Sequence, residues 1–164
     1  MKSLLIIRHA KSSWDTTTGK DFDRPLNDRG KRDAPEMANR LIERKITIDA
    51  FVSSTAKRAK KTAQLFAQQF QRSKEEIILL PELYEVTVAG LYKVATGLPD
   101  KCNSVAIFSH NPGVTEFVNT LTGTRIDDMP TCGIFAINIH SDTWKNFETA
   151  GKEYWFFHYP KLNS

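Results

Sequence analysis

The residues Leu4-Leu5-Ile6-Ile7-Arg8-His9-Ala10-Lys11 decide the fold. Four consecutive apolar residues with no polar alternation suit a strand covered on both faces, as in a parallel sheet flanked by helices. The run stops abruptly at a cation and an imidazole. Ligands of open α/β sheets sit just beyond the carboxyl ends of the strands. Arg8 and His9 therefore stand where a site belongs.

The rest of the chain supplies the expected partners. Residues 12–20 and 21–25 read as surface loop next to that strand end. Leu26 precedes a helix capped by Asn27 or Asp28, with Ala34, Met37, Ala38, Leu41 and Ile42 on one face. Pro35 inside this pattern predicts either an irregular first part or a regular helix starting only near Asp33, with Glu36 completing a capping box. Residues 48–53 form a second strand. Ser54 or Thr55 caps the helix that follows, and Ala59, Ala63, Phe66 and Phe70 are its buried stripe. A third strand over 77–80 is stopped by Pro81; 82–89 reads as loop and 89–96 as a short helix. A fourth strand over 105–108 leads into Ser109-His110-Asn111-Pro112-Gly113 and a helix from Pro112 to about Leu121. The last strands cover 133–139 and 154–159, while Trp144 and Phe147 complete the core or an edge. This alternation predicts an α/β fold of three α/β/α layers, with a mostly parallel central sheet and helices on both faces.

The 164 residues fit a single domain spanning 1–164. Twenty-three basic against 19 acidic residues give a formal charge of +4. That bias can draw in anionic substrates but falls short of a nucleic-acid signature. The basic run 57–61 reads as a solvated helix face. No stretch approaches the roughly 18 apolar residues of a membrane span, so no membrane partner is expected. Cys102 and Cys132 lack metal-ligand spacing and are expected as free thiols in a reducing cytoplasm.

Three strand ends share one rim. The first carries Arg8 and His9, the second leads through Ser53-Ser54 to Arg58 in the first turn of a helix, and the fourth carries His110. A cation in that first turn opposes the helix macrodipole, which makes sense if an anion binds there. Two arginines and two histidines then form a phosphate pocket with a nucleophile inside it. His9 and His110 alone are a poor ligand set for zinc, so no metal and no cofactor are expected. His140 and His158, late in or after the last strands, read as structural or surface residues.

These stretches resemble the histidine phosphatase superfamily, the phosphoglycerate mutase-like fold. Arg8-His9-Ala10 is similar to its Arg-His-Gly signature, residues 53–63 to the second signature, whose Arg binds phosphate, and Ser109-His110-Asn111-Pro112 to its Gly-His-x-Pro element. Arg24-Pro25-Leu26-Asn27, Ala10 and the short length, without cap insertions, resemble the SixA-type branch, named for phosphohistidine phosphatases. The resemblance implies a phosphatase that forms a covalent phosphohistidine on neutral His9. A backbone carbonyl would fix its tautomer, with phosphate bound by Arg8, Arg58 and a protonated His110. The family's proton donor follows a Leu-x-Glu pattern that matches Leu83-Tyr84-Glu85. Glu85 is thus the expected general acid, with Glu82 second.

Two departures bear on the substrate. Ala10 replaces the common Gly. Asp15 falls where many relatives carry an Asn close to the phosphate, and a carboxylate there disfavours a sugar phosphate. A shallow, open site would follow, able to admit a phosphorylated side chain on a protein surface. The expected substrate is a phosphohistidine-bearing protein. A small phosphorylated metabolite is the alternative, and a non-catalytic phosphoprotein-binding module, against which the retained His9 argues, is the reading from another class.

Overall fold

A computed structural model describes residues 1–14 and 19–162. The opening run forms β1 (Lys2–Arg8), whose residues Leu4 to Ile7 are fully buried. Around it stand β2 (Ala50–Ser53), β3 (Ile78–Leu79), β4 (Ser104–Ser109), β5 (Ile134–Ile139) and β6 (Lys152–His158). They make one sheet in the order β3-β2-β4-β1-β5-β6. β1 lies parallel to β4, and β2 parallel to both β4 and β3. β5 runs antiparallel to β1 and to β6, so it alone reverses direction.

Strand periodicity sorts the core into two layers. Leu5, Ile7, Phe51 and Phe108 face one way, onto α1 (Asp28–Glu43) and α2 (Lys57–Gln69). Leu4, Ile6, Val52 and Ile107 face the other, onto α3 (Val88–Thr96) and α4 (Gly113–Val118). Trp144 and Phe147 are fully buried in this second layer. Each such large apolar side chain contributes about 1.5–3 kcal/mol of burial. The three-layer α/β/α architecture is thus observed.

Several local expectations change. α1 is regular from Asp28, with the Asn27 side chain accepting from Gly30 N–H at 2.9 Å. Pro35 lies within it, so the helix neither starts irregularly nor waits for Asp33; burial of Ala34, Met37, Ala38 and Leu41 outweighs the proline's missing bond. α2 is capped by Ala56 rather than by Ser54 or Thr55. The Ser54 hydroxyl accepts from Ala56 N–H two residues on, a local turn that leaves it pointing at the rim. α3 is preceded by a 3-10 turn, Pro81–Leu83, which begins at the strand-stopping proline and runs into the stretch expected as loop. α4 ends at Val118, short of Leu121.

Two close approaches clamp the site loops onto this frame. A Cβ on Gly30 would lie 2.2 Å from the carbonyl oxygen of Lys11, and one on Gly113 would lie 2.3 Å from that of Val86. Only glycine lets α1 and α4 start against those backbones. The first loop follows His9, and the second carries Tyr84 and Glu85.

Candidate active site

The carboxyl ends of β1 and β4 and the first turn of α2 open onto one cleft of about 340 Å³. Arg8, His9, Arg58, His110 and Glu85 all line it. Glu82 does not; it lines a separate, more apolar cleft with Val52, Ile78 and Leu80. Asp15 lies outside the described residues. His140 pairs with Glu153 at 3.1 Å and His158 contacts Arg44 at 3.0 Å, both on the β6 side.

Backbone groups hold His9. Its peptide N–H donates to Ser109 O at 3.1 Å, across the β1–β4 seam. Cys132 N–H bridges the carbonyls of Arg8 and His9, at 3.1 and 3.0 Å. Cys132 adopts φ 60°, and Glu85 φ 54°. Left-handed backbone at non-glycine residues costs of order 1–3 kcal/mol and tends to gather at functional sites. The His9 ring is buried, and its Nδ1 lies 2.8 Å from the Ala10 carbonyl. A carbonyl can only accept, so Nδ1 carries the proton and Nε2 the lone pair. Burial, then the nearby His110, Arg58 and Arg8, hold the ring well below its usual 6.5. His9 is neutral, with its Nε2 lone pair facing a cation.

That cation is Arg58, whose Nε lies 3.3 Å from His9 Nε2. Thr62, one turn along α2, donates to the Arg58 carbonyl and accepts from Ala10 N–H, at 2.8 and 2.9 Å. This single hydroxyl ties α2 to the loop after β1. Arg8 donates through Nη1 to Met129 O at 2.9 Å, while its buried Nε has no partner among the described residues. His110 packs 5.2 Å from the His9 ring, and its Nε2 lies 2.7 Å from the Ser54 hydroxyl. With only the protein's own charges around it, His110 is neutral: burial first, then Arg58, pull it down to about 3. The protonated His110 of the resemblance therefore needs a bound anion, which favours the charged form.

Sequence reasoning missed Asp21, Tyr84 and Ser54 as site residues. Asp21 lies in a 3-10 turn (Asp21–Asp23), pairs with Arg58 at 3.0 Å and accepts from Tyr84 O–H at 2.7 Å. Arg24, quoted only as a family motif, donates to Asp21 at 3.0 Å. Trp14 lies over the Arg24 guanidinium at 3.5 Å and is 77% exposed at the cleft. The one sequence signal for Asp21 was its place three residues before Arg24.

Residues 4–97 match the sequence profile described as Histidine phosphatase superfamily (branch 1). The chain belongs to that superfamily. It is a phosphatase that works through a histidine nucleophile. Among curated relatives it is 27% identical over 164 residues to an uncharacterised chloroplast protein of Arabidopsis thaliana, covering 94% of this chain and 74% of that one. Among solved structures, the protein histidine phosphatase SixA complexed with tungstate superposes with a TM-score of 0.84 at 22% identity, over 99% of both chains. SixA of Agrobacterium tumefaciens gives 0.81 at 22% identity, over 97% of this chain and 98% of that one. The phosphatase thus has the SixA, phosphoglycerate mutase-like fold. Among its described residues no helix is long and apolar enough to cross a membrane.

Proposed function

We propose that this phosphatase hydrolyses protein phosphohistidine, with His9 as nucleophile and Arg8, Arg58 and His110 binding the phosphoryl group. One observation carries the assignment: the Ala10 carbonyl accepts the hydrogen bond from His9 Nδ1–H and leaves His9 Nε2 facing Arg58. His9 Nε2 attacks phosphorus in line, forming a P–N bond as the bond to the leaving nitrogen breaks. That nitrogen takes a proton from Glu85 or solvent. Water then attacks phosphorus and loses its proton to solvent, from which Glu85 regains any proton it gave. The P–N bond breaks, and His9 and inorganic phosphate are regenerated. The cationic and N–H groups offset charge on the equatorial oxygens, so no cofactor is required.

The protein-substrate reading is supported by the SixA fold and by a cleft whose margin is exposed Trp14, Asp21 and Glu85. Two buried free cysteines fit a reducing cytoplasm. The test is phosphate release, with a chelator present, from a phosphohistidine-bearing protein, phosphoserine and an aryl phosphate. Fastest release from the protein substrate supports the proposal. A preference for phosphoserine moves the substrate to small metabolites. Binding of phosphate without any turnover would make the chain a phosphoprotein-binding module.

A further inference from the structure

Arg58 sits in the first turn of α2, where no acidic residue offsets it, and it is buried to 6% exposure. Its counter-anion comes from a different segment. Arg58 Nη1 donates to the Asp21 carbonyl at 2.7 Å, and Nη2 to the Asp21 carboxylate at 3.0 Å. Backbone and side chain of one residue thus hold both arms of the guanidinium. Asp21 is itself held at three points: Tyr84 O–H and Arg58 on Oδ2, and Arg24 on Oδ1. The Tyr84 ring in turn packs edge-on against His110 at 5.5 Å, with Phe22 on it at 5.2 Å. Five N–H bonds fan out from a guanidinium, and Asp21 takes two of them. The Nε–H is left 3.3 Å from the attacking nitrogen.

We propose that Asp21 is a positioning residue that clamps Arg58 so that its Nε edge meets the phosphoryl group on His9. When phosphorus bonds to His9 Nε2, the Nε–H can no longer point at that lone pair. A non-bridging oxygen of the phosphoryl group then lies in front of that Nε–H, with no movement of the arginine. Tyr84 O–H and Arg24 keep the Asp21 carboxylate well below the usual range, with Arg58 adding to it. Asp21 therefore stays ionised and donates no proton, which separates its role from that of Glu85. Tyr84, which donates to Asp21, also packs against His110, so one side chain braces both proposed phosphate ligands.

This inference rests on Arg58 being a phosphate ligand, and the test separates the two. Turnover of 4-nitrophenyl phosphate and affinity for vanadate are measured for Asp21→Ala, Asp21→Asn, Arg58→Ala and the Asp21→Ala/Arg58→Ala double variant, with thermal melts as a folding control. A misaligned catalytic group costs up to about 10²-fold. The expected result is a fall in kcat of about tenfold or more in Asp21→Ala, a parallel loss of vanadate affinity and a smaller loss in Asp21→Asn. In the Arg58→Ala background the Asp21 substitution should add almost nothing, because contacting residues that act as a unit are not additive. Additive losses would reduce Asp21 to a structural role and overturn the inference. A gain in activity or vanadate affinity in Asp21→Ala would show that Asp21 competes with phosphate, and would also overturn it. If Arg58→Ala keeps full activity, the phosphate-ligand reading itself fails.

Discussion

The inner and outer parts of the cleft are built differently. Inside, His9, Arg58 and His110 are each no more than 6% exposed. They are fixed by main-chain partners or by strand and helix ends: the Ala10 carbonyl for His9, the first turn of α2 for Arg58, the end of β4 for His110. Outside, Trp14, Asp21 and Glu85 are exposed and sit on turns and loops. Groups on regular elements hold a geometry that loops do not, so the nucleophile and phosphate contacts proposed above fall to the inner group, and the groups that would meet the leaving side of the substrate to the outer one. Asp21 crosses that boundary, since it is exposed yet holds a buried arginine.

The hardest test of the division is His9→Ala. Without the nucleophile, turnover of every phosphorylated substrate should fall at least about 10³-fold, measured by phosphate release. A residual rate that still ranks the substrates as the parent does would put the chemistry elsewhere in the cleft. Arg58→Lys is the next step down. Lysine keeps the charge but loses the planar fork that Asp21 grips. We expect a loss of roughly 10²-fold in kcat, as when one donor to a developing oxyanion is removed.

Glu85→Gln probes the outer group. Alkyl phosphates have poor leaving groups and should slow by about 10²-fold, within the range general acids supply. Phosphohistidine leaves as an imidazole and should slow only roughly a few-fold, below the range general acids supply, because its leaving group needs little protonation. Equal losses on both substrates would place Glu85 among the groups that act on every substrate and erase the proposed boundary. The comparison needs no structure of a complex, only two substrates and one variant.

How much of this was legible in the sequence follows the same boundary. The inner residues were readable because their positions are dictated by strand ends. Apolar runs mark β1, β2 and β4, and the residues just past a run must fall on the rim. Of the outer residues, Glu85 was reached through the family's Leu-x-Glu pattern and does line the cleft, but Trp14 and Asp21 were not, because loops bring together groups that share no period. Asp21 meets Tyr84 across 63 residues of chain, and nothing in either neighbourhood announces the other. Ser54 was misread for a similar reason. A serine before a helix suggests a cap, yet here Ala56 takes that place and Ser54 turns to His110. The antiparallel β5 also escaped notice, since its run of buried residues looks like that of a parallel strand.

The smallest expected effect concerns the inner histidines and is seen in stability rather than rate. Burial lowers both His9 and His110, the latter to about 3, whereas in the unfolded chain both return to near 6.5. Between those values the unfolded chain binds protons that the folded chain refuses. Stability therefore falls as pH drops through the window below 6.5. Asp21 acts in the same direction, but only below its ordinary value near 3.8. Urea midpoints measured from pH 7 to pH 5 isolate the histidines, and the parent should lose stability steadily over that range. His110→Gln should show a shallower slope, since it keeps an acceptor for Ser54 but cannot titrate. Saturating inorganic phosphate should flatten the parent's slope too, because a bound anion raises His110 toward its unfolded value. A slope unchanged by both would mean that His110 does not feel the phosphate, and the inner group would shrink to His9 and Arg58.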